Sequence, residues 1–359
     1  MKPSHYMTLA YAAFALFVFV KAFNSNPAEK HLTPVIESAD TPATATFRAI
    51  KAIDENTVWA AGSANTVART LDGGESWEVF TVGDSLKTEF RSLMAWDAST
   101  ALVFTIDSPA VGYRTDDGGK SWYQVYYNPA QGMFIDSVSF SDDLNGVAVG
   151  DPLDGHIFVI TTDDGGHSWT EIQGPENAGG MFAASNTCVT MTTSSRILIA
   201  ASSSEVHIGD GKQWSTIPTP ITKGADNGCD GCYGVWMSDE ERGFLYGGNY
   251  EYVSNKTGVL ARTIDSGRSW QLCEEGIHGF VSAIAPVNAD RKARKKQSDT
   301  FYVASGSDGI SFSKDGGYSW EDITASLPEG VKGYHALSST GDTVWGAGSH
   351  GHIGRIQIR

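Results

Sequence analysis

Apolar and polar positions alternate with a period of two over short runs, and the runs come in groups of four, which predicts short half-buried strands rather than helices. Phe47–Ile53, Thr57–Gly62, Thr66–Thr70 and Ser76–Phe80 form the first group. Further groups begin near Phe90, Phe134, Met181, Tyr233, Phe280 and Tyr334, which makes seven units. In the last of them Val344-Trp345-Gly-Ala-Gly348-Ser349 echoes Val58-Trp59-Ala-Ala-Gly62-Ser63, a further run covers Ile353–Ile358, and no fourth strand follows. Pro34-Val35-Ile36-Glu37, left over ahead of the first group, is the natural donor of the missing strand.

Between the third and fourth runs of most units the same words recur. Thr70-Leu-Asp72-Gly-Gly-Glu-Ser-Trp77 returns at 115–122, at 162–169, at 263–270 with Ser266 for the first Gly, and at Ser313–Trp320; an eroded copy is Gly209–Trp214. Asp-Gly-Gly between two strand-like runs reads as a hairpin turn, because Gly supplies positive φ and the carboxylate can accept the amides of its own turn. The acidic residues Asp72, Asp117, Asp164, Asp265 and Asp315 are therefore structural. Trp77, Trp122, Trp169, Trp270 and Trp320 recur once per unit, as rings packing against a neighbouring unit do. A period of about 45–55 residues defines a propeller or an array. The predicted fold is all-β: a seven-bladed β-propeller of four-stranded antiparallel blades, closed by an N-terminal strand.

The recurring octapeptide resembles the Asp-box (BNR) repeat, Ser/Thr-x-Asp-x-Gly-x-Thr/Ser-Trp, of sialidases, sortilin-type receptors and the photosystem II stability/assembly factor family. Beyond the boxes, Phe140–Pro152, Phe182-Ala-Ala-Ser-Asn186 and Gly247-Gly248-Asn249-Tyr250 resemble the assembly factors most. That resemblance implies an exported seven-bladed propeller that binds partner proteins during assembly and has an arginine-bearing surface. It does not carry a photosystem partner over to this chain, and the repeat specifies architecture better than activity.

Composition narrows the partners. The formal charge is −16 over 359 residues, so a nucleic-acid backbone, which needs a basic face, is excluded as a partner. Forty glycines suit a chain of many tight turns. An apolar run from about Tyr6 to Val20, flanked by Lys2 and Lys21, fits a signal-peptide h-region, with an uncleaved N-terminal anchor as the alternative. The expected organisation is a leader or anchor over 1–22, a linker over 23–32 and one propeller over 33–359, lying in the periplasm, outside the cell, or tethered outside the cytoplasm as a monomer. Contact with a membrane is expected only through the N-terminal segment, if it stays uncleaved. Cys188, Cys229, Cys232 and Cys273 do not form a zinc-site pattern, and Cys229-Asp-Gly-Cys232 is expected to be a local disulfide of an exported protein. The basic run Arg291–Lys296 reads as a solvated hairpin insertion.

Candidate chemistry lies on the face away from the boxes, on the connections between blades and between second and third strands. These are Gly150–His156, Gly174–Gly180, Pro218–Cys232, Gly247–Thr257, Glu274–Gly279 and Ser349–His352. Residues opening the first strands should face the channel: Arg48, Arg91, Asp136, Tyr233 and His335. Phe47-Arg48-Ala-Ile50 and Phe90-Arg91-Ser-Leu93 place an arginine at the same position of successive blades, where two guanidinium groups can clamp a carboxylate; pairing with a nearby Asp or Glu is the alternative. With Asp151 and Tyr250 these residues form the predicted binding set.

A sialidase would need an Arg-Ile-Pro element, and Arg48 is followed by Ala-Ile. It would also need a Tyr activated by Glu, whereas Tyr250-Glu251-Tyr252 directs neighbours to opposite faces. Other glycosidase chemistry needs two carboxylates across a cleft, for which Asp136, Asp151 and Glu251 are the weak catalytic candidates, with Asp154 and Asp226 behind them. Gly119-Lys120-Ser121 lacks the first Gly of a phosphate loop, Asp116-Asp117-Gly118 lacks the later ligands of a calcium loop, and no dinucleotide fingerprint is present. The expectation is a non-enzymatic scaffold without cofactor or metal that binds a protein; the alternative is an exported glycoside hydrolase or a glycan-binding propeller.

Overall fold

A computed structural model describes residues 33–83, 88–176, 179–223, 228–273, 275–287 and 300–359. Residues 1–22 and 23–32, Asp226 and the basic run at 291–296 lie outside the described residues. Val35–Ile358 form one compact unit, made of seven four-stranded sheets. In blade 1 the strands are Phe47–Ala52, Val58–Gly62, Thr66–Thr70 and Glu78–Thr81, paired antiparallel in chain order. Blades 2 to 6 follow the same order, with first strands Phe90–Ala95, Ser137–Phe140, Val189–Met191, Asp230–Met237 and Ala283–Val287. Blade 7 consists of Ala336–Thr340, Thr343–Ala347 and Ile353–Ile358, and its outer strand is Pro34–Ser38. The leftover N-terminal segment thus completes the last blade. Among the described residues no helix is long and apolar enough to cross a membrane.

The core is a set of seams rather than one centre. Seven apolar clusters each span two adjacent blades, such as Ala49, Trp59, Val67, Phe90 and Val103 between blades 1 and 2, and Ala60, Ala336, Trp345 and Ile353 between blades 7 and 1. Second strands such as Val58–Gly62 and Gly243–Asn249 are buried along their whole length. Flat sheets covered on both faces need apolar residues at successive positions, which is why alternation is clearest in the first and third runs.

Each box is a self-contained hydrogen-bond unit. In blade 1, Asp72 Oδ1 accepts the Thr70 hydroxyl at 2.8 Å and the Ser76 amide at 2.9 Å, Oδ2 accepts the Ser76 hydroxyl at 2.5 Å, and Thr70 Oγ1 accepts the Gly74 amide at 2.9 Å. These bonds favour the ionised form and hold Asp72 and Asp117 at about 2, the hydroxyls of Ser76 and Ser121 acting most strongly. Gly74 sits at φ +88°, and a Cβ there would come within 2.9 Å of Ala39 Cβ and 3.2 Å of the Trp345 ring, so that position requires glycine for both conformation and space. The box tryptophans reach the preceding blade: Trp122 meets Trp59 edge-on at 6.4 Å, Trp169 meets Phe104 at 5.2 Å, and Trp320 meets Phe244 at 6.1 Å. In the eroded copy Asp210 Oδ1 accepts only the amides of Lys212 and Gln213, both at 2.9 Å.

Blade 4 departs from the expected boundaries. Its first strand starts at Val189, well beyond Met181, because 181–187 is spent on long-range bonds across the channel. Asn186 accepts the Val138 amide at 2.8 Å and donates to the Leu93 carbonyl at 2.9 Å, Ser185 Oγ donates to the Ser282 carbonyl, and the Thr187 carbonyl accepts the Val235 amide at 2.9 Å. One segment therefore ties blades 2, 3, 5 and 6 together and floors the channel.

Candidate functional site

The boxes join third to fourth strands, whereas the starts of first strands and the ends of second strands lie at the other end of the antiparallel ladder. There a cavity of ≈500 Å³ opens, lined by Arg48, Arg91, Asp151, Tyr233, Tyr250 and His335 among others. Local backbone geometry explains why these side chains meet. The pairing register of blade 1 shifts between Phe47 and Ala49, that of blade 2 between Phe90 and Ser92, and that of blade 5 between Cys232 and Gly234. Arg48, Arg91 and Tyr233 are the extra residues at these bulges, and a bulge re-aims its side chain out of the ladder. Asp151 lies in a similar irregularity between Gly150 and Leu153.

The cavity has two unlike walls. On one, Arg48 Nε donates to Glu89 Oε1 at 3.1 Å and Arg91 Nη2 to Glu89 Oε2 at 3.0 Å, while Arg91 Nη1 donates to the Ala183 carbonyl at 3.0 Å. One carboxylate thus bridges two guanidinium groups, the pairing considered above as the alternative to an open clamp. Burial, and then the adjacent charge of Arg91, lowers the pKa of Arg48. His335 is buried behind the pair, its Nε2 3.0 Å from Ser349 Oγ. Burial first, then the charges of Arg48 and Arg91, push its pKa down to about 3, so the imidazole is neutral. The opposite wall is aromatic. Phe182 stacks on Tyr233 with centroids 3.8 Å apart, and Phe280 meets the same ring edge-on at 4.7 Å. The Tyr233 hydroxyl donates to the Cys229 carbonyl at 2.8 Å. Tyr250 stands half-exposed at the rim, and the Asn249 side chain, accepting the amides of Glu251 and Tyr252 at 2.8 and 2.9 Å, fixes the loop that carries it.

Three candidates fall elsewhere. Asp136 is fully buried and does not line the cavity: its short side chain ends beneath the surface that the longer arginines reach. Both of its carboxyl oxygens lack a partner among the described residues, and burial, then the charge of Asp151, raises its pKa well above the usual range. Glu251 and Asp154 are exposed and also stand outside the lining. Asp151 does line it, with Oδ1 accepting the Met181 amide at 2.7 Å, and burial raises its pKa.

The structure does not join Cys229 to Cys232: both are buried thiols outside any disulfide, as are Cys188 and Cys273. Cys229 immediately precedes the strand Asp230–Met237 and Cys232 lies within it. Three residues of extended chain span about 10 Å, beyond the ~7 Å Cα separation a disulfide tolerates. Sequence reading missed Glu89 and the floor segment. The spacing Glu89-Phe90-Arg91 was a usable signal for the first, since residues two apart in a strand share a face.

Fold and cavity together define a seven-bladed Asp-box propeller with a basic and aromatic mouth. The sequence profile of the family described as photosynthesis system II assembly factor YCF48 matches residues 28–133. Among solved structures the chain is similar to YCF48 bound to D1 peptide, at 18% identity over 90% of this chain and 97% of that one, with a TM-score of 0.65. It is similar to YCF48 from Cyanidioschyzon merolae at 15% identity over 90% and 98%, TM-score 0.59. Selenomethionine-substituted virginiamycin B lyase from Staphylococcus aureus matches at 13% identity over 91% and 100%, TM-score 0.66. No curated protein matches the chain. The chain is a BNR-type propeller that resembles the photosystem II assembly factor; an enzyme shares the shape equally well, so function has to be argued from the mouth.

Proposed function

We propose that this protein is an exported, non-enzymatic scaffold that holds a partner protein by a segment seated in the mouth cavity, in the assembly or upkeep of an envelope or membrane complex. The observation that carries the reading is the pairing of Arg48 and Arg91 on one wall with the Phe182, Tyr233 and Phe280 cluster on the other. Such a cavity suits a chain segment that offers a carboxylate beside an apolar or aromatic side chain, and arginine and aromatic side chains are enriched where proteins bind proteins. YCF48, one of the similar structures, was solved with a D1 peptide bound, which supports a peptide as the class of ligand.

Glycoside hydrolysis has one observation in its favour: Asp151 lines the cavity and Asp136, with a raised pKa, lies close enough to feel its charge. Hydrolysis requires both carboxyl groups to face the scissile bond, and Asp136 does not reach the cavity surface. Binding is therefore the better reading.

Capture from the native envelope fraction tests it. Wild-type bait is expected to retain a defined protein that Arg48→Ala/Arg91→Ala loses while keeping its melting midpoint. Retention unchanged by the double variant sinks the assignment of the mouth, and glycan turnover abolished by Asp136→Asn/Asp151→Asn sinks the scaffold. Sequencing the N-terminus of the mature protein from that fraction tests export, with a start near residue 23 expected.

A further inference from the structure

Arginines in this propeller come in two settings. Arg69 and Arg114 are locked: their side chains are 7% and 8% exposed, Arg69 bonds the Ala98 carbonyl and Glu78 and lies over Trp59, and Arg114 bonds Gly165 and Asp116 and lies over Trp96. Arg48 and Arg91 are 27% and 25% exposed, and their common partner Glu89 is 19% exposed. Arg48 bonds through Nε alone among the described residues, which leaves both its terminal nitrogens for another acceptor. Arg91 Nε is buried without a partner among the described residues. Glu89 uses one oxygen for each arginine and has no other side-chain bond among the described residues. The equivalent residue of blade 1, preceding Phe47-Arg48, is Thr46, so the carboxylate is supplied once for two cations.

We propose that Glu89 is a built-in counter-ion that occupies the arginine pair until a partner's carboxylate takes its place, making it the residue that sets selectivity for carboxylate ligands at the mouth. This rests on the binding function proposed above. Glu89 is tethered beside the pair, so an incoming carboxylate enters against its charge, and a simple anion gains little by entering. A ligand must add contacts on the aromatic wall to displace the internal group. Charge-assisted bonds to arginine are strong enough to make that competition decisive.

The test uses N-acetylphenylalaninate, which carries a carboxylate and a ring, and its uncharged amide, titrated into the full-length protein and followed by the Arg Nε–H NMR signals. Glu89→Gln is expected to bind the carboxylate at least tenfold more tightly than wild type, with a steeper salt dependence, while the amide binds both proteins alike. Glu89→Asp, which keeps the charge but withdraws it by one methylene, should give an intermediate gain and serves if Glu89→Gln fails to fold. Equal or weaker carboxylate binding by the variants, or no binding by any of the proteins, overturns the inference. If the variants gain affinity but the envelope capture retains no arginine-dependent protein, the counter-ion role stands and the scaffold reading falls.

Discussion

The two faces of the ring are built on opposite plans. On the box face, five turns from five blades repeat the same bonds: the Ser hydroxyl lies 2.5–2.6 Å from Asp Oδ2 and the Ser amide 2.9–3.0 Å from Oδ1 in every copy. At the mouth, the residues opening the first strands differ from blade to blade: Arg48, Arg91, Tyr233 and His335 line the cavity and Asp136 lies buried beneath it. A turn whose carboxylate and hydroxyls satisfy one another locally has no acceptor left to offer a ligand. Unequal side chains collect where the repeat ceases to dictate the residue.

The largest break in this contrast comes from removing a seam. Trp345 is 1% exposed and its ring lies against the box turn at Gly74; Trp345→Ala should cost about 3–5 kcal/mol in denaturant unfolding, as other buried Trp truncations do. A loss below about 1 kcal/mol would show that the blade 7–1 seam does not carry stability.

Acid should separate the faces in sequence. His335 and His278, pushed by burial from 6.5 down to about 3 and about 4, lower their folded pKa values below the unfolded one, so their contribution is full above pH 6.5 and is lost as pH falls from there. Asp72 and Asp117, lowered from 3.8 to about 2, contribute above pH 3.8 and lose that only between about 4 and 2. Melting midpoints should therefore fall first between pH 6.5 and 4, with His335→Gln flattening that limb and leaving the lower one unchanged. A single transition below pH 4, identical in the variant, would remove the histidine from the account.

A smaller effect has the opposite sign. Asp136 is raised by burial, so its ionisation opposes folding as pH rises. Asp136→Asn should stabilise the protein at pH 7 by roughly 1 kcal/mol, with the gain shrinking toward pH 4. Destabilisation at pH 7 would mean that the ionised carboxyl is needed. The smallest effect concerns the thiols: since no disulfide is formed, reductant should leave the melting midpoint unchanged, and denatured protein should titrate four thiols.

Much of this architecture was legible because it is repeated. The box, its tryptophan and the strand left over at Pro34 appear in the sequence as copies and a missing copy, and propellers build themselves from such units. Arg48 and Arg91 were legible for the same reason, as equivalent positions of two blades. Glu89 left only the spacing Glu89-Phe90-Arg91 as a signal and no copy in blade 1, which has Thr46 in its place, and it was overlooked. The floor segment around Asn186 resisted reading since its bonds reach blades 2, 3, 5 and 6, and no local pattern encodes partners that distant. The thiols misled because Cys-x-x-Cys says nothing of whether the chain between them is folded back or stretched, as it is here.

The clasp of blade 7 has a temporal meaning. Thr41 bonds Gly351 across 310 positions, and the strand at Pro34–Ser38 must wait for Ile353–Ile358 before it has a neighbour. Six blades can stack as they leave the ribosome, but the circle locks only once Ile353–Ile358 has followed them. Until Pro34–Ser38 docks, Ile353–Ile358 presents an unmated sheet edge, the kind of surface that draws foreign strands, and a strand that precedes blade 1 in the chain is held in reserve to cover it.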